Sequence, residues 1–229
     1  MPKESKTIGI SLPDDFDVDL YDEINQKMSS PKFVGNPAWS HFVAAWRAIG
    51  YRYRALSDHD ALFGEYIVKT DTFESRYVQE RELFSFFVTA SATLDSYSYA
   101  LFALGSMLDP NNFPIMTDKD QRRIRPDTAK AGFLHHFPGE RISIEFQKLV
   151  ESNVFSEIST VRNMLAHRVS TTRIISLSNK QLPPQPHEWK MHPGFILDAN
   201  ATHSRRLWIA DWLNKLLEAT DQFAQNQFS

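Results

Sequence analysis

The chain has 229 residues, of which 42% are hydrophobic and 23% charged. The length suits one large domain or two small ones, and the composition excludes a disordered chain. The absence of cysteine excludes disulfide scaffolds, cysteine-ligated zinc, iron–sulfur clusters and thiol nucleophiles. A net charge of −3 supplies no general pull toward nucleic acid, although a local basic patch remains compatible with it. Seventeen Phe, seven Tyr and five Trp stand against only eight Gly, which favours packed helices over a turn-rich β protein.

Residues 1–36 read as an N-terminal arm, partly extended or flexible, ahead of a helical domain spanning 37–229. Met1 to Lys6 has no apolar run behind it and does not read as a secretory signal. Asp14, Asp15, Asp17, Asp19, Asp22 and Glu23 read as a solvated acidic stretch, and Thr7 to Leu12 as a short strand.

Helical periodicity begins at Asn36-Pro37, where Asn36 suits an N-cap and Pro37 the first helical position. Trp39, Phe42, Trp46, Ile49, Tyr53 and Leu56 recur at alternating steps of three and four, one apolar stripe on a helix. Ser57-Asp58-His59-Asp60 reads as a break. The strongest signal follows: Leu83, Phe87, Ala90, Leu94, Tyr97, Leu101, Leu104 and Leu108. Asp71 or Thr72 can cap this helix, and Asp109-Pro110 stops it. Its serines, threonines and Asp95 argue against a membrane span and for the central helix of a soluble bundle, placed in the cytoplasm.

Residues 110–138 read as a proline-rich connection with a basic cluster, Arg122, Arg123 and Arg125. Ile142 to Val150 and Val154 to Val169 mark two further helices. Residues 171–199 read as a small β-hairpin or ordered loop inserted before a last helix, about Ala201 to Phe228. The fold class expected is all-α: an up-and-down four- to five-helix bundle with a small β insert.

The stretch Val161-Arg162-Asn163-Met164-Leu165-Ala166-His167-Arg168 sets polar groups among apolar ones on a helix. Arg162 and His167 point about 140° apart around it, whereas Asn163 and His167, four residues apart, share a face. Histidine exchanges protons near neutral pH, and arginine matches phosphate oxygens with a planar fork of donors. Asp95 has two readings: a partner that holds Arg162 or Asn163, with Ser91 and Ser98 beside it, or a structural polar residue bonded to backbone or water.

The Arg-Asn-x-x-x-His pattern, late in an all-helical chain with a lone acid in its long helix, resembles the signature of the HEPN superfamily. That resemblance implies an up-and-down helical bundle acting as a homodimer, with the two motifs facing each other across a cleft. It implies a metal-independent endoribonuclease of toxin–antitoxin or phage-defence type, or a catalytically inactive relative that binds a protein partner or nucleotide. On the first reading Arg162 holds the scissile phosphate, His167 moves protons, and Asn163 orients the histidine or contacts phosphate. Neither reading needs a cofactor or metal. Arg122, Arg123, Arg125 and Arg168 would track an RNA backbone, and Arg173, Arg205 and Arg206 could extend that patch; a solvated loop is the bland alternative. His135-His136, Asp58-His59-Asp60 and the pair His187 and His192 read as poor metal ligands.

Overall fold

The chain opens with a two-stranded antiparallel ribbon, β1 (Lys3–Glu4) and β2 (Ser11–Leu12), followed by α1 (Val18–Met28), α2 (Pro31–Val34), α3 (Trp39–Ile67) and α4 (Phe73–Leu108). Then come α5 (Asp118–Gln121), α6 (Pro126–His136), α7 (Arg141–Val150) and α8 (Asn153–His167). Three short strands, β3 (Thr172–Ile174), β4 (Glu188–Met191) and β5 (Phe195–Leu197), form an antiparallel sheet in that order before α9 (Ala199–Phe228). This computed structural model describes residues 2–69, 72–167, 172–174, 188–191 and 195–228. The architecture is an all-α bundle. Among the described residues no helix is long and apolar enough to cross a membrane.

The sequence pattern explains the spine. Helix α4 has 36 residues and starts at a capping box, in which Thr72 and Ser75 each accept from the other's backbone N–H. It ends before Asp109-Pro110. Buried residues cover most of its circumference between Phe86 and Ser106, so it lies at the centre, in contact with α3, α6, α8 and α9. Helix α3 folds back along it as an antiparallel neighbour. Asn36 Nδ2 reaches the Met107 carbonyl at one end, and Gln79 Nε2 reaches the Tyr66 carbonyl at the other.

Two expectations are corrected here. Ser57-Asp58-His59-Asp60 does not break the helix, because each charged group finds a partner. Asp58 takes Arg54 one turn earlier, His59 Nδ1 lies 2.6 Å from Glu82, and buried Asp60 accepts from Arg206 Nε at 2.9 Å. Residues 110–138 are not all loop either: α6 occupies much of them, with Pro126 at its first turn, and His135-His136 close that helix.

Residues 2–36, read as an arm, pack onto the bundle instead. Leu12, Tyr21, Ile24 and Met28 are buried, and Tyr21 stacks on Trp46 at 5.5 Å. The acids are spent on local structure. Asp17 caps α1 through the Leu20 N–H, and Asp15 accepts from the Tyr53 hydroxyl at 2.6 Å and from Arg206. Burial opposes ionisation of Asp22, but hydrogen bonds from Ser5, Thr7 and the Lys6 backbone outweigh it and hold its pKa below the usual value.

The connection after α4 is fixed by one ring. Phe113 is fully buried, with Phe102, Phe133 and Phe137 centroids 5.2–6.0 Å away. Gly105 of α4 and Gly132 of α6 admit it: a Cβ at either would lie 2.8 Å from the ring. Phe113→Ala is therefore expected to lower stability by about 3–5 kcal/mol. Gly105→Ala, normally favourable in a helix, should also destabilise, because its ring neighbour has no room to retreat. Urea denaturation followed by circular dichroism checks both signs.

Candidate functional site

A cleft of about 920 Å³ opens between α3, α4, the start of α6 and α8. Its existence follows from side-chain size. Ser40, Ala44 and Ala48 succeed one another at four-residue steps on α3 and leave space where larger residues would meet α8. Helix α4 turns Ser91, Asp95 and Tyr99 toward the same space, again four residues apart. Helix α8 contributes Phe155, Ser159, Arg162 and Asn163. Arg125, the N-cap of α6, and Pro126 and Asp127 in its first turn complete the rim.

The walls carry opposed charges. Arg162 donates from Nη1 to Asn163 Oδ1 at 2.8 Å, so the two adjacent side chains act as one polar unit. Arg52 Nη1 donates to the Ala92 carbonyl at 3.0 Å and to Ser96 Oγ, which ties it to α4. Asp95 is open to solvent but walled by protein on its other sides. Desolvation raises its pKa, and the charges of Arg162 and Arg52 offset only part of that effect. The cleft thus disfavours a carboxylate despite two guanidinium groups. Across from α8, the Tyr99 hydroxyl lies 3.0 Å from His41 Nδ1.

The structure brings together Arg162, Asn163, Asp95 and Arg125, four of the residues selected from sequence. His167 does not join them. It is exposed at the last position of α8, about one turn beyond Asn163 on the same face, and does not line the cleft. Of the two serines placed beside Asp95, Ser91 lines the cleft, while Ser98 is buried and bonded to the Leu94 carbonyl. Arg122 and Arg123 are exposed beyond the rim. Arg168, His187 and His192 lie outside the described residues.

Arg205 and Arg206 do not extend a basic patch. Arg205 pairs with Glu157, and Arg206 with Asp15 and Asp60, so both are engaged inside the protein. Among the described residues no group of three acidic or histidine side chains is arranged to hold a metal ion, and this includes the surroundings of His59 and of His135-His136.

Sequence reasoning missed His41 and Tyr99. The available signal was the second stripe on α4, Ser91, Asp95 and Tyr99, which is polar and runs beside the apolar one. Comparison with family models, with curated proteins and with solved structures gives no match for this chain.

Asp95 yields a pH-dependent prediction. Its folded pKa lies above the unfolded value, so its charge costs stability at neutral pH, and that cost fades as pH falls through the raised value. Asp95→Asn should therefore melt higher than the wild type at about pH 7, with the gap narrowing as pH falls through the raised value and closing only below the ordinary aspartate value of about 4. Thermal melts of the two proteins across this range test the sign.

Proposed function

We propose that this chain is a HEPN-like, metal-independent endoribonuclease of toxin–antitoxin or phage-defence type, working in the cytoplasm as a homodimer. The observation that carries the reading is the Arg162–Asn163 unit on the wall of a polar cleft. RNA cleavage by its own 2′-hydroxyl requires a cation on the phosphate and groups that move protons to and from oxygen. Arg162 offers the donor fork, and Asn163 steers it or adds a donor. His167 exchanges protons.

The position of that imidazole supports a dimer. His167 is exposed at the end of α8 and does not line its own cleft. A second copy would bring an imidazole from this position to Arg162. The exposed Arg122 and Arg123 would then guide the RNA backbone, with Arg125 at the rim. An antitoxin or other protein partner would belong to the same setting.

A second reading is favoured by one feature: the cleft is walled by helices of one chain. On that reading the protein is a catalytically silent helical module that takes a nucleotide or docks a protein partner.

The separating experiment is cleavage of single-stranded RNA in the presence of a metal chelator, paired with light scattering for mass. Wild type should cut RNA and run as a dimer. Arg162→Ala and His167→Ala should each lose about 100-fold or more of the activity and relieve any growth toxicity. Identical behaviour of all three proteins would remove the nuclease reading and leave the binding module.

A further inference from the structure

We infer that His41 is the proton-accepting group of this cleft, held for that task by Tyr99. The inference rests on the nuclease reading and completes it. That reading has one imidazole for two proton transfers, and that imidazole must come from another copy.

His41 lines the same cleft as Arg162 and Asp95 and is half-buried there. It stands near the start of α3, and α4 presents Tyr99 opposite, one helical turn beyond Asp95. The Tyr99 hydroxyl lies 3.0 Å from His41 Nδ1, with the ring centroids 6.1 Å apart. When Nδ1–H donates to that hydroxyl oxygen, the neutral ring carries its lone pair on Nε2. Nε2 has no hydrogen-bond partner among the described residues, so it is the nitrogen left for a ligand. Burial raises the Tyr99 pKa, which keeps the phenol a neutral partner for the ring. The small residues Ala44 and Ala48 keep the adjoining space open for a substrate.

The step balances as follows. His41 Nε2 takes the proton from the RNA 2′-hydroxyl as that oxygen bonds to phosphorus. The bond from phosphorus to the 5′-oxygen breaks. The 5′-oxygen leaves with the proton of the imidazolium of His167 from a second copy. The products are a 2′,3′-cyclic phosphate and a 5′-hydroxyl, and proton exchange with water restores both rings. Arg162 holds the phosphate throughout.

The test is single-turnover cleavage of RNA by the full chain, with binding of a 2′-O-methyl oligonucleotide measured alongside. His41→Ala should cut at least about 100-fold more slowly while binding the uncleavable strand as wild type does. Added imidazole should restore part of its rate and none of that of Arg162→Ala. Tyr99→Phe, which frees the ring to rotate and change tautomer, should lose about 10-fold. Should His41→Ala fail to fold, His41→Gln carries the same measurement. If the His41 variants cut as fast as wild type while Arg162→Ala is inert, the inference fails and the nuclease reading stands. If wild type itself cuts no RNA, both fall.

Discussion

The antiparallel pair of α3 and α4 is the frame on which α6, α8 and α9 pack. Polar rungs pin its register along the whole length: Asn36 to Met107, His41 to Tyr99, Arg52 to Ser96, His59 to Glu82 and Tyr66 to Gln79. Each rung contributes little on its own, about 0.5–1.5 kcal/mol for a hydrogen bond net of water. The stabilisation comes from burial, at about 1.5–3 kcal/mol for each large side chain removed from water. The division of labour is therefore clear: apolar burial holds the two helices together, and the rungs select one alignment. A slip of one turn would leave Glu82, which is buried, without His59.

Most of the fold was legible where apolar spacing governs. The stripe from Leu83 to Leu108 marks the C-terminal part of α4 to its last residue, and of the two candidate caps, Asp71 and Thr72, it is Thr72 that starts the helix. Legibility fails where a polar residue has a distant partner. Asp60 looks like a helix breaker in sequence because Arg206, its partner, is 146 residues away. The acidic stretch looks solvated for the same reason: Asp15 is used by Tyr53 and Arg206. Spacing rules describe one helix at a time. They carry no information about which charge on another helix will arrive.

The site divides along the same line. Arg162 and Asn163 stand out because they are polar on an otherwise apolar face, and the cleft does contain them. His167 shares a face with Asn163 but stands at the last position of α8, and the cleft does not reach it. His41 gives no such signal, since it stands alone near a helix start with Ser40 before it and Phe42 after it. Its role emerges only when α3 and α4 are paired and Tyr99 comes opposite.

Asp95 and Asp22 show how burial and local partners compete over a carboxyl. A carboxylate whose purpose is to anchor a neighbouring arginine is held below its ordinary pKa, because the ion pair favours its charged form. Asp95 has Arg162 and Arg52 near it, and its pKa is nonetheless raised. Desolvation therefore outweighs both cations. Contrast Asp22, where hydrogen bonds from Ser5 and Thr7 win against burial and the pKa falls. The first carboxyl is poorly served by its surroundings and the second is well served. A bundle could remove the cost at Asp95 with an apolar residue, as it has at Ala44 and Ala48 across the cleft. Functional sites are where titratable groups of this kind concentrate. The raised pKa marks Asp95 as a carboxyl whose charge Arg162 and Arg52 compensate only in part.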